Sequence, residues 1–184
     1  MQNDDSLYRL FLSGETSAYD ALMIRYGDRL TLYLNGYLHS WQDAEDLMIE
    51  AFARIMVKKP HIREGGFKAY LYKTARNLAA RFHARAARAE TFSLEGMEKE
   101  IAAGLTPEDS LEDQERIRIL HLCLTRIDPQ LREALWLVYF DDLSYADAAA
   151  VMGVSRKRVD KLLQRGKAMM RAELAKEGIT NAYE

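Results

Sequence analysis

The residues best suited to chemistry in this chain are cations set among aromatic rings. Between Gly65 and Ala89 there is no Asp or Glu, while Lys68, Lys73, Arg76, Arg81, Arg85 and Arg88 are interleaved with Phe67, Tyr70, Tyr72 and Phe82. Positive charge holds a phosphate backbone and flat rings stack on unpaired bases, so this mixture suits single-stranded nucleic acid. A second basic block, Arg156, Lys157, Arg158, Lys161, Arg165, Lys167 and Arg171, is opposed only by Asp160. Between the two blocks the sign reverses: Glu90, Glu95, Glu98, Glu100, Glu108, Asp109, Glu112, Asp113 and Glu115 face only Lys99. The formal net charge of -2 for 184 residues thus conceals a basic, acidic, basic order. Any one basic run reads first as a solvated helix face. Two such runs, one dense in aromatics and one inside a recognisable motif, point to phosphate contact.

That motif spans Ser144 to Arg171. Ser144 caps a short helix ending at Met152, Gly153 and Val154 make a turn, and Ser155 caps a second helix. Ala149, Gly153, Val159 and Leu162 stand at the spacing of a helix-turn-helix. Ala149 lets the helices approach, Gly153 permits the turn's backbone angles, and Val159 and Leu162 bury the second helix on the first. Arg156, Lys157, Asp160, Lys161 and Gln164 are then expected on the exposed face, a shape and charge that fit a major groove. An ordinary helical hairpin is the plain alternative, and the basic face argues against it.

Enzymatic chemistry has little to build on. His39, His61, His83 and His121 are scattered, and no P-loop, nucleophile elbow or zinc spacing occurs. His39 and Asp43 stand four apart and read as a solvated pair rather than as ligands. Cys123 is the single cysteine, which excludes an internal disulfide and argues against a cysteine-based zinc site. No catalytic residue, cofactor or metal is expected.

The elements that must position these residues are helical. With 48% hydrophobic residues the composition is that of an ordinary folded domain. Tyr19, Leu22, Met23, Tyr26, Leu30, Tyr33, Leu34 and Tyr37 recur at threes and fours, predicting one long amphipathic helix. Ser40 and Asp43 form a capping box opening the next, whose apolar side is Leu47, Phe52, Ile55 and Met56 and which Pro60 ends. Gly65 and Gly66 mark a loop, and a third helix starts near Phe67. Residues 90–115, acidic and containing Gly96, Gly104 and Pro107, read as a linker. Beyond it Ile117, Leu120, Leu124 and Ile127 share a face, Asp128 with Pro129 starts a helix, and Leu131, Ala134, Leu135 and Val138 continue it. The expectation is all-α, with helical domains at 1–89 and 116–184. No apolar run approaches the roughly 20 residues of a membrane helix. With Asp4 and Asp5 near its start and no basic leader, the chain carries no expected signal peptide, so a cytoplasmic protein is expected.

In this order the blocks resemble the extracytoplasmic-function sigma factors, the smallest branch of the sigma-70 family. Asp43 to Met56 (DAEDLMIEAFARIM) resembles region 2.2, Phe67 to Phe82 (FKAYLYKTARNLAARF) regions 2.3 and 2.4, and Ile127 to Leu174 region 4. The resemblance implies a subunit that binds core RNA polymerase, through its beta-prime and beta subunits, and directs it to promoter DNA. Asp43, Glu45, Asp46, Leu47 and Glu50 would dock on beta-prime, although a solvated acidic first turn also explains Asp43 and Glu45. His61, Arg63, Tyr70, Tyr72, Lys73, Arg76, Asn77 and Arg81 would open and read the minus-ten element, with 61–66 as the base-capturing loop. For Tyr72 and Phe82 a place in the core is an equal alternative. Ser155, Arg156, Lys157, Arg158, Lys161 and Arg165 would meet the minus-thirty-five element. The family commonly has an anti-sigma partner, so one is expected here, and no membrane insertion is expected. This sequence departs from the family's usual residues at Ile49 (glutamine), Tyr70 (tryptophan) and Asp160 (a basic residue). A helix-turn-helix regulator with an N-terminal helical interaction domain is the competing reading, and it has no use for the region 2 resemblance.

Overall fold

The computed structural model describes residues 3–89, 119–120 and 122–179, and the chain divides into two compact units, one within Met1–Ile101 and one within Ala102–Glu184. The acidic stretch expected to be a linker lies outside the described residues. Among the described residues every regular element is a helix.

The first unit holds α1 (Asp4–Leu12), α2 (Thr16–Leu38), α3 (Trp41–Lys58) and α4 (Phe67–Ala89). The predicted helices α2 to α4 form as expected, whereas α1 has no counterpart in the periodicity. Asn3 caps α1, its side-chain oxygen accepting the Ser6 N–H at 2.8 Å. Ser40 caps α3 by accepting the Asp43 N–H at 3.4 Å. That helix stops at Lys58 because Lys59 precedes a proline and turns left-handed (φ 44°). All four helices contribute to the core: Leu7, Tyr8 and Phe11 of α1 are buried, and Leu22, Leu30 and Leu34 of α2, Phe52 and Ile55 of α3, and Phe67, Leu71 and Tyr72 of α4 are all but fully buried. Tyr19 spans two of them, its hydroxyl donating to the Phe52 carbonyl, and burial pushes its phenol well above the usual tyrosine range. Met56, expected on the apolar side, is instead exposed.

In the second unit residues 122–126 are helical, and α5 (Pro129–Leu135) follows, capped by Asp128, which accepts the Gln130 N–H at 2.8 Å. Instead of ending, the helix widens into a π-helical stretch, Trp136–Phe140, in which Trp136 stacks on Phe140 at 4.9 Å. Leu120 is half-buried and Leu124 and Ile127 are buried as expected, while Ile117 lies outside the described residues. Two helices complete the unit: α6 (Tyr145–Met152) and α7 (Arg156–Lys176). The sequence template holds. Ser144 accepts the Asp147 N–H at 3.1 Å, Gly153 is left-handed at φ 68°, Ser155 accepts the Arg158 N–H at 3.2 Å, and Ala149, Val159 and Leu162 are buried. Gly166 fits where α7 crosses α5, since a Cβ there would come within 3.1 Å of Leu135. Gly166→Val forces two further carbons into that contact, so urea unfolding should show a loss of about 1–3 kcal/mol.

Candidate nucleic-acid and protein interfaces

Helix α4 sorts its aromatic and basic residues by angle. At about 100° per residue, Tyr70, Lys73, Thr74, Asn77 and Arg81 form one stripe, while Tyr72 lies about 160° from Tyr70. Tyr72 is fully buried, its ring 5.1 Å from that of Tyr33. It is a core residue, and its expected contact with DNA is withdrawn. Phe82 is half-buried, edge-on to His83, whose Nε2 bonds the Tyr37 carbonyl at 3.0 Å. Arg76 stands about 120° from Tyr70 around the helix and so does not join the stripe.

Three of the expected minus-ten residues, Tyr70, Asn77 and Arg81, line one pocket of about 170 Å³ between α4 and α3. Helix α3 contributes Arg54, Ile55 and Lys58, and Thr74 completes the lining. Arg54, Lys58 and Arg81 make this hollow strongly positive, and among the described residues only the Arg54 charge has a close counter-ion, Glu50, at 2.6 Å. An aromatic edge, an amide and three cations around a hollow suit a nucleotide: the cations its phosphate, Asn77 and Tyr70 its base. The sequence reading missed Arg54 and Lys58. Their spacing from Glu50, four and then four, does place all three on one side of α3. That this side meets Asn77 and Arg81 depends on how α3 packs on α4. Lys73 is exposed on the same stripe, and His61 and Arg63 are exposed on the loop before α4.

The free face of α3 changes character along its length. Asp46 and Glu45 are exposed near its start, and Trp41 Nε1 donates to Glu45 at 2.9 Å. Asp43 is half-buried in the first turn, and Glu50 is half-buried beside Arg54. Further on, Ile49 (53% exposed), Met56 (44%) and Val57 (78%) continue the same side. Leu47 does not belong to it. At 8% exposure it is part of the core, which corrects its expected role at a protein interface. Ile49 supplies the exposed apolar surface there instead.

On α7, Val159, Leu162, Leu163, Gly166 and Met170 are buried along one side. Lys157, Lys161 and Gln164 lie opposite, with Arg156 on one flank and Arg158 and Arg165 on the other, all exposed. Ser155 and Arg158 also have structural work: Ser155 caps the helix, and Arg158 donates to the Gln130 side chain at 3.1 Å. Gln164 donates to Asp160 at 3.1 Å, which orients the carboxylate that breaks the basic face.

Both units match models of one family, in chain order: residues 22–89 match Sigma-70 region 2 and residues 117–170 match Sigma-70, region 4. The chain is 29% identical over 169 residues to the ECF RNA polymerase sigma factor SigE of Mycolicibacterium smegmatis, covering 90% of this chain and 65% of SigE. It is 27% identical to the RNA polymerase sigma-H factor of Pseudomonas aeruginosa, covering 89% of this chain and 95% of that protein. The chain belongs to the extracytoplasmic-function branch of the sigma-70 family. The sigma factor RpoE, solved in complex with the anti-sigma factor NepR from Bartonella quintana, has the same fold. Its TM-score is 0.71 at 20% identity, covering 85% of this chain and 96% of RpoE. CnrH, solved in complex with the cytosolic domain of CnrY, gives a TM-score of 0.65 at 23% identity, covering 94% of this chain and 97% of CnrH. Within the sigma-70 frame, the region 2 match takes in the α3 face and the α4 pocket, and the region 4 match takes in the helix-turn-helix. Among the described residues no helix is long and apolar enough to cross a membrane, and no cluster of three or more metal-binding side chains occurs.

Proposed function

We propose that this chain binds core RNA polymerase in the cytoplasm, carries it to a two-part promoter and opens the DNA there, without catalysing a reaction itself. The observation that carries this reading is the pairing of region 2 and region 4 matches in order, each on a unit with an exposed basic surface. Residues 1–89 hold the polymerase and the minus-ten element, 90–115 link, and 116–184 read the minus-thirty-five element. Asp43, Glu45, Asp46 and Glu50, joined by Ile49, contact beta-prime, where acidic side chains suit a basic surface. Tyr70, Asn77 and Arg81, with Arg54 and Lys58, take the opened non-template strand. The solved relatives were captured with an anti-sigma factor and with a cytosolic domain of a second protein, which supports an anti-sigma partner here. Comigration of the chain with core polymerase through gel filtration tests the reading, because an operator-binding regulator stays apart.

The exposed face of α7 gives a second test. Alanine at Arg156, Lys157 or Lys161 should each relax preference at one minus-thirty-five position, at a cost of about 1–3 kcal/mol. Arg165→Ala removes a flanking cation and should weaken all sequences alike while lowering the salt slope by about one. Selection from DNA randomised across that element distinguishes the two behaviours. An unchanged motif in the three alanine variants would remove these residues from the readout.

A further inference from the structure

The loop between α3 and α4, residues 59–66, is tied at both ends to a helix that the sigma-70 region 2 match leaves out. At its start the Tyr8 hydroxyl donates to the Pro60 carbonyl at 2.8 Å. At its end the Gly65 N–H donates to both carboxylate oxygens of Asp5, at 3.0 and 2.9 Å. A longer pair, Arg9 with Glu64 at 3.9 Å, lies between two exposed side chains and adds little. Helix α1 is itself fixed: Asp4 receives Arg25 and the Tyr26 hydroxyl, Tyr8 packs on Phe67 at 5.3 Å, and Phe11 packs on Tyr19 at 4.5 Å. The loop's own backbone is demanding. Lys59 and Gly65 are left-handed, and Gly66 closes a turn onto the Arg63 carbonyl at 2.9 Å, where a Cβ would lie 2.8 Å from the Arg63 side chain. Between the two anchors His61 and Arg63 stay exposed.

We propose that Asp5 and Tyr8 are positioning residues that hold loop 59–66 in the conformation that accepts an unpaired non-template base; the inference rests on the minus-ten reading above. Ordering eight loop residues is entropically costly, and a loop ordered before DNA arrives leaves more of the contact energy for selecting the base. Both acids of α1's first turn are committed to holding structure, Asp4 by its pair with Arg25 and Asp5 by accepting the Gly65 amide.

The test uses the full chain with core polymerase on templates randomised across the minus-ten element, reading base preference from the transcripts. Asp5→Asn combined with Tyr8→Phe keeps both side-chain shapes while weakening one anchor and deleting the other. The expected result is a roughly tenfold loss of preference at the captured position, as one weakened and one lost anchor would give. Preferences at the remaining minus-ten positions and retention on core polymerase should stay as in wild type, and Arg9→Ala should match wild type throughout. Hydrogen exchange on the free chain should quicken at Gly65 and Gly66 and not in α2 or α3. An unchanged preference profile, or uniformly lower output with the profile intact, would overturn the proposal. If the wild-type chain itself selects no minus-ten sequence, the promoter reading fails first and takes the positioning role with it.

Discussion

Combining Asp46→Arg with Glu50→Arg should reduce retention on core RNA polymerase by about a hundredfold or more while leaving the first unit folded. Asp46 is exposed and Glu50 half-buried on one side of α3, so neither change opens the core. Among the described residues Glu50 pairs with Arg54 at 2.6 Å, an i,i+4 pair contributing roughly 0.3–0.5 kcal/mol. Reversing two charges at an interface that selects acidic groups costs several kcal/mol, mostly through like-charge contact. The effect on binding should therefore exceed the effect on stability by about tenfold in energy. Thermal melting of the free variant beside its sedimentation with core polymerase separates the two. Full retention would move the polymerase-binding face away from the start of α3.

The second large effect is expected at the α3–α4 pocket. In holoenzyme, Tyr70→Ala with Asn77→Ala should leave promoter binding within a few-fold of wild type but sharply reduce strand opening. Tyr70 is half-buried and Asn77 exposed, and both line the same hollow with Arg81. Losing one stacking platform contributes roughly 1–3 kcal/mol per base, and that loss falls on the open state alone because duplex DNA offers no free base face. Permanganate reactivity of unpaired thymines near the start site reads the open state directly. Normal reactivity would assign both residues to the structure of α4.

What the sequence reveals differs between the two units for a physical reason. The helix-turn-helix is legible because its determinants are local: a cap at Ser144, a left-handed Gly153, a second cap at Ser155 and apolar residues at fixed offsets. The start of α3 is legible in the same way, through Ser40 and Asp43. Tyr72 and Leu47 show the limit. Each belongs by type and position to a block with a binding role, yet each faces inward, and side-chain direction follows from how α2, α3 and α4 pack. Helix α1 was not anticipated, and what it does depends on contacts of Asp5 with Gly65 and of Tyr8 with Pro60, which no local pattern encodes. The same holds for Arg54 and Lys58, which join Asn77 and Arg81 only once two helices meet. Continuation of α5 as a π-helical stretch adds a residue to a turn without any proline or glycine to announce it.

The central claim is that this chain gives core RNA polymerase a promoter preference and opens DNA there. Core polymerase should be mixed with fragmented genomic DNA of the source cell, with and without the chain, and the 5′ ends of the transcripts sequenced. The account predicts a new set of starts that requires the chain, each at a fixed distance downstream of a shared two-part motif. The Tyr70→Ala, Asn77→Ala variant should lose these starts. Transcripts identical with and without the chain, although it binds DNA through α7, would contradict the account and leave a conventional helix-turn-helix regulator in its place.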